Sequence, residues 1–214
     1  MIVSIGIVAH QQRRALATQL AERVNADIVS IDDGTLGCGR NHQHVMRELA
    51  DHNTDWSLIL EDDAMPVINM TGQLRKALTA APTNIVSLYL GRSRPPQHQQ
   101  AIHNAIAKAH ADDACWITST HCLHAVALAI RTPLLTPLAN HLATRNWLPI
   151  DEAITSFCHT TKQHIAYTVP SLIQHPDVLP TLVKHRDRAP RPTGTRTAWQ
   201  VGTRTTWDER TVTL

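Results

Sequence analysis

Apolar runs and polar breaks alternate along the chain, and the period of the pattern switches as they do. Residues 2–9, IVSIGIVA, are β-branched and uncharged, which predicts a strand buried on both faces. From Gln11 to Val24 the apolar positions Ala15, Leu16, Leu20 and Val24 recur at helical spacing. Ala26–Ile31 reads as a second strand closed by the turn Asp32-Asp33-Gly34, so the first thirty or so residues form a strand–helix–strand unit. Asn41 is placed to cap a helix running to about Leu49, with Val45, Met46 and Leu49 on its inner face. Trp56–Leu60 predicts a third strand, residues 70–80 a helix and Ile85–Leu90 a fourth strand.

Later segments are less regular. Gly91 to about Gln100, rich in Arg, Pro and Gln, predicts an exposed loop. Residues 114–130 hold two apolar stretches split by Thr118–His121, Pro133 opens a helix to about Ala143, Asp151–Cys158 is a short helix and Ile165–Val169 a last strand. After His185 the chain turns to Arg, Thr, Pro and Gly with isolated Trp199 and Trp207, a composition with little core-forming capacity. The expectation is a single α/β domain over residues 1–184, with a mainly parallel central sheet flanked by helices, and an Arg/Thr/Pro-rich tail over 185–214.

Composition narrows this picture only slightly. A chain of 214 residues with 43% apolar and 18% charged residues has the make-up of an ordinary globular domain. Its net charge of +2 is too balanced to argue for nucleic acid or an anionic membrane. Residues 185–214 carry six arginines against three acids, which leaves the tail mildly basic. No pair among Cys38, Cys115, Cys122 and Cys158 has CxxC spacing, and the apolar run at the start is too short for a signal-peptide core or a membrane span. The expectation is a reduced, cytoplasmic protein.

The candidate chemistry gathers at predicted strand ends, where parallel sheets bind ligands. The first strand ends in Ala9-His10, the second in Asp32-Asp33, the third in Glu61-Asp62-Asp63. Strand alternation sets Glu61 and Asp63 on one side and Asp62 on the other. Two carboxylates at the exit of a buried strand suit a hard cation such as Mg²⁺ or Mn²⁺; a solvated acidic turn is the plain alternative. Gly37-Cys38-Gly39-Arg40-Asn41 precedes a helix, where glycines and a helix N-terminus with Arg40 suit an anion, or simply make a turn.

These stretches resemble the GT-A glycosyltransferases, and within them the family 25 type, the lipooligosaccharide and collagen galactosyltransferase-like group. GCGRNHQHVMREL leads by a helix to LILEDDA, with Gly37, Cys38 and His42 matching and Asn41 standing where Ser is usual. Leu88-Tyr89-Leu90-Gly91 is similar to the next strand, Thr120-His121 to the "GTHAY-I" segment with Ser119 in place of its glycine, and Pro170–His175 to the closing "P-L-x-Q" stretch; together they span residues 1–183. The resemblance implies transfer of a sugar from a nucleoside-diphosphate donor to a hydroxyl acceptor, which is a saccharide, a protein or a modified DNA base. It implies Mn²⁺ or Mg²⁺ held by Glu61, Asp63 and His175. Ala9, His10, Asp32, Asp33, Gly37, Arg40, Asp62 and His121 are then expected around donor or acceptor. Asp151, with Glu152 second, is the candidate base, although Asp151 also suits a helix N-cap. Two other classes stay open. A metal-dependent nucleotidyltransferase would lack its usual phosphate loop, because His10-Gln11-Gln12 follows the first strand. A nucleic-acid-binding module would use the basic tail with its two indoles.

Overall fold

A computed structural model describes residues 1–176 and 196–214. The expected residue 184/185 boundary, and the tail arginines 186, 188 and 191, lie outside the described residues. The elements run β1 (Val3–His10), α1 (Arg14–Val24), β2 (Ile28–Asp32), α2 (Cys38–Ala50), β3 (Trp56–Glu61), β4 (Met65–Pro66), α3 (Met70–Thr79), β5 (Ile85–Ser87), α4 (Gln99–Ala111), β6 (Trp116–Ser119), β7 (Ala127–Arg131), α5 (Leu135–Ala143), α6 (Ile150–Thr161), β8 (Ile165–Thr168), β9 (Ile173–Gln174) and β10 (Thr211–Thr213). The main sheet has the order β10-β6-β8-β5-β7-β3-β1-β2. β2, β1, β3, β5 and β8 run one way, while β7, β6 and β10 run the other. The expected α/β architecture with a mainly parallel sheet is therefore the observed one.

Alternation along the strands builds two cores, one on each face of the sheet. Ile59 joins Val45, Met46, Leu49, Leu135 and Phe157 beneath α2, α5 and α6. Leu58 and Leu60 join Ala17, Leu20, Val24, Leu74 and Leu78 beneath α1 and α3. Each such side chain contributes roughly 1.5–3 kcal/mol by leaving water. Gly6 lets α2 lie close on β1: a Cβ there would sit 2.5 Å from Val45 Cγ1.

Four expectations need correction. Asn41 is no cap. Gly37, at φ 78°, precedes the first helical residue, and α2 begins four residues earlier than expected. Asn41 is instead buried one turn in, where its amide donates to Ala9 O (3.1 Å) and Ser30 O (3.2 Å) and ties α2 to β1 and β2. The expected loop from Gly91 ends at His98 and not at about Gln100: helix α4 starts at Gln99 and runs through a stretch given no element above, with Ile102, Ala105 and Ala109 on its buried face. Thirdly, residues 196–214 are not core-poor. β10 pairs with β6, Val212 is buried, and Trp207 packs its ring against Trp116 at 5.3 Å. Trp199 Nε1 donates to Gln99 Oε1 (3.0 Å) and Trp207 Nε1 to Gln73 Oε1 (2.9 Å). These links reach 100 residues or more back along the chain, which is why local composition concealed them. Fourthly, the acid triplet does not alternate as expected, as the site geometry makes plain.

Candidate functional site

The site lies at the carboxyl edge of β2, β1 and β3, which are neighbours in that order. His10 is in register with Asp32, and Val8 with Glu61, so three polar strand ends share one edge. Extended backbone stops at Glu61. Ala64 N donates to Glu61 O (3.0 Å), which folds Glu61–Ala64 into a β-turn with Asp62 and Asp63 at its corners. Strand alternation therefore no longer governs the two aspartates. Glu61 continues the face of Ile59 toward α2, while Asp62 and Asp63 both turn toward the segment entering α1.

The countercharge for those aspartates is an arginine. After β1 the chain makes a short 3₁₀ turn, Gln11–Arg13, in which His10 Nδ1 accepts from Gln12 N (3.2 Å). That turn lays Arg13 Nη1 on Asp62 Oδ1 (3.0 Å) and on Asp63 Oδ2. Asp62 also accepts from His10 N (2.9 Å). His175 arrives through a separate two-stranded sheet, in which Met65 pairs with Gln174, so that its Nε2 lies 3.2 Å from Asp63 Oδ2. All three side chains of this cluster are nearly withdrawn from water, at 11% exposure for Arg13, 5% for Asp63 and 9% for His175.

Burial sets the charges at odds. Burial is the largest influence on Asp63 and raises its pKa, yet His175 and Arg13 together hold it below the ordinary value. Asp62 is raised, because burial outweighs the hydrogen bonds from His10 N and Arg13. Glu61 is pushed up to about 8, first by burial and then by Asp63, Asp62 and Asp151. Its side chain is still 26% exposed, so it reaches solvent. Asp151, in the first turn of α6, is also raised by burial, and its charge is felt at both Glu61 and Cys38. Glu152 is exposed and offers only its backbone N–H, to Asp151 Oδ1 (3.0 Å).

Other expected site residues have quieter surroundings. Asp32 accepts from the N–H groups of Gly34 (3.0 Å), Leu36 (3.0 Å) and Gly37 (2.8 Å). Burial raises its pKa, but these donors outweigh burial and leave it lowered. Asp33 is exposed and holds Thr35 N (3.0 Å). Arg40 is exposed, with Nε on Leu36 O (2.9 Å), and Ala9 is buried with its carbonyl on Asn41. His121 stacks between His98 (5.0 Å) and His159 (5.1 Å), and burial followed by those two rings lowers its pKa.

As a metal set, Glu61, Asp63 and His175 are only partly gathered. Asp63 and His175 touch, but Glu61 turns toward His42, whose Nε2 is 3.8 Å from Glu61 Oε1. Among the described residues Asp63 Oδ1 is buried without a hydrogen-bond partner, an oxygen that suits a hard cation. Sequence reasoning missed Arg13; its one local signal is a basic residue three positions past the first strand end. It named His42 only as a motif letter, although the i, i+4 spacing to Cys38 puts both on one helix face.

No protein-family model and no curated protein matches the sequence, so the narrower family 25 resemblance has no matching family model behind it. Among solved structures the chain is similar to the crystal structure of a glycosyltransferase involved in the glycosylation of the major capsid of PBCV-1, with 10% identity, a TM-score of 0.41 and 68% of each chain covered. Among the described residues, no helix is long and apolar enough to cross a membrane.

Proposed function

We propose that the chain is a glycosyltransferase that takes a sugar from a nucleoside-diphosphate donor and passes it to a hydroxyl acceptor. The observation that carries this reading is the edge formed by His10, Asp32 and the Glu61–Asp63 turn, with Arg13, His175 and Asp151 closing around it. In the transfer, the acceptor oxygen bonds to the anomeric carbon as the bond to the diphosphate oxygen breaks. The acceptor's proton passes to a carboxylate oxygen of Asp151, whose raised pKa favours a base role over that of an ordinary surface aspartate. Arg13 supplies countercharge to Asp62 and Asp63 in a buried place, and His10 N fixes the orientation of Asp62.

Asp63, through Oδ1, and Glu61 would hold Mn²⁺ or Mg²⁺, with His175 against Asp63. Such an ion, when bound, would offset the charge developing on the departing diphosphate. The ion pairs of Arg13 favour a second reading, in which the arginine alone supplies the positive charge and no metal is required. One panel tests both. Thermal shift is measured across nucleoside-diphosphate sugars, with Mn²⁺ and with EDTA. A shift only with Mn²⁺, lost in Asp63→Ala, supports the metal reading; a shift that persists in EDTA supports the arginine reading. No shift with any donor sinks the glycosyltransferase proposal.

A further inference from the structure

Behind the acid turn lies a second group of ligand-type side chains, of which the proposed glycosyl transfer uses only Glu61. Cys38 and His42 stand one turn apart on the same face of α2, and that face looks onto the end of β3. Cys38 Sγ, a ring nitrogen of His42 and a carboxylate oxygen of Glu61 all lie within 4.8 Å of one another. Among the described residues no other group of three such side chains is gathered this closely.

The independent observation is the state of His42. Its side chain is wholly buried. Nδ1 lies 2.9 Å from Cys38 O, the arrangement in which the ring donates Nδ1–H to a backbone carbonyl. That leaves Nε2 as the nitrogen with the free lone pair. Nε2 is buried and, among the described residues, makes no hydrogen bond of ordinary geometry; burial lowers the ring's pKa, the Ala125 backbone is near enough to raise it against that effect, and Glu61 Oε1 lies 3.8 Å from Nε2. A buried nitrogen without a full hydrogen bond is costly unless something occupies it. Anchoring one ring nitrogen on a carbonyl is also how metal-binding histidines are oriented for coordination through the other. Ligand atoms about 2.0–2.3 Å from a tetrahedral ion are roughly 3.3–3.6 Å apart. The 3.8 Å between His42 and Glu61 is near that already, and no separation in the group exceeds 4.8 Å.

We propose that Cys38, His42 and Glu61 bind a borderline divalent cation of the Zn²⁺ and Co²⁺ class. One sulfur, one imidazole nitrogen and one carboxylate oxygen are the donor mixture that such ions take, whereas Mg²⁺ and Mn²⁺ prefer oxygen alone. Binding displaces to solvent the Cys38 thiol proton and the proton that Glu61 holds below about pH 8, and the metal bonds form to the thiolate and the carboxylate. Three protein ligands leave a fourth position, on the side where the part-exposed Glu61 reaches solvent. The neighbouring Cys122 is not part of the group, since its thiol donates to His124 O at 3.4 Å. The site goes beyond the transfer reading and stands whether or not the chain moves a sugar.

Cobalt gives the test. The full chain is stripped with EDTA, exchanged into chelator-free buffer and titrated with Co²⁺, following the thiolate-to-cobalt charge-transfer absorption and the visible ligand-field bands. One equivalent should produce both, and Zn²⁺ should bleach them. Cys38→Ser should abolish the charge-transfer absorption. Glu61→Gln, at a part-exposed position that spares the fold, should keep that absorption but weaken Co²⁺ binding at least tenfold. Asp63→Asn should leave Co²⁺ affinity unchanged while removing any Mn²⁺-dependent donor binding, which separates this site from the proposed transfer site. Absence of a charge-transfer band at stoichiometric Co²⁺, its persistence in Cys38→Ser, or unaltered affinity in Glu61→Gln would each overturn the proposal.

Discussion

The strands on either side of β1 both end in acids, and the acids meet opposite conditions. At the end of β2, Asp32 is only 5% exposed, yet three backbone N–H groups point at its oxygens and hold its pKa down. At the end of β3, Glu61 is raised to about 8, and Asp63 retains a buried oxygen with no hydrogen-bond partner among the described residues. The backbone accounts for the difference. After Asp32 the loop curls over the carboxylate and brings its amides along, Gly34 and Gly37 taking φ values of 103° and 78°. After Glu61 the chain makes a tight turn that presents further carboxylates instead of amides. The first acid is satisfied by its own loop and builds structure. The second group is left wanting positive charge, which is the condition of a site that receives ligands.

That contrast can be broken by mutation. The largest expected effect is from Arg13→Ala, which strips two buried aspartates of their shared countercharge and should cost about 3–5 kcal/mol in urea denaturation. Added Mn²⁺ should recover part of the loss; recovery by Mn²⁺ of nothing at all would argue that the turn has no use for a cation. Asp32→Ala should cost about 2 kcal/mol, less than three charge-assisted hydrogen bonds would suggest because the loop lies at the surface, and Mn²⁺ should recover none of it. An equal Mn²⁺ response from both variants would erase the distinction between the two ends.

Glu61→Gln sharpens the comparison through pH. The ordinary value for Glu61 is 4.5 and its folded value about 8, so the folded protein holds a proton that the unfolded chain releases between them. Glu61 therefore makes stability fall as pH rises from about 4.5 to about 8, and Glu61→Gln should flatten that decline. Asp32 works in the opposite sense. Its folded pKa lies below the ordinary 3.8, so its contribution is present above that value and is lost as pH falls through the folded value. In stability measured from pH 3 to 9, Asp32→Ala should be the less stable chain and converge on wild type as pH falls through the folded pKa of Asp32, whereas Glu61→Gln should gain on wild type as pH rises toward about 8; the same sign of change in both variants would contradict the assignment. The smallest effect is expected from Trp207→Phe, remote from both strand ends. Loss of its bond to Gln73 should cost about 1 kcal/mol and leave the pH profile unaltered.

Much of the frame was legible because it is written in short-range periodicity. IVSIGIVA, the helical spacing of Leu20 and Val24, and WSLILE each carry their element in a window of a few residues, and the observed elements begin and end within a few positions of expectation. Reading failed where a local pattern was weak or a partner distant. Helix α4 is small and mostly alanine on its buried face, so its apolar signal was faint beside the prolines before it. β10 is three residues long, and only its pairing with β6 makes it a strand. The acids themselves were found, along with their place at a strand end, but their division was not, since one turn hydrogen bond at Glu61 ends the alternation on which the expectation rested.

By itself, then, the amino-acid order determined the succession of strands and helices, the faces they bury and the clustering of acids at strand ends, because each follows from contacts within a turn or a strand's length. The tertiary structure alone decided which acids are satisfied and which are not. Asp62 and Asp63 meet Arg13 across about fifty positions of sequence, Asp63 meets His175 from the far end of the domain, and Glu61 meets His42 only because Gly6 lets α2 settle onto the sheet. Electrostatic demand depends on what surrounds a charge in space, and for these residues the surroundings come from distant stretches of the chain.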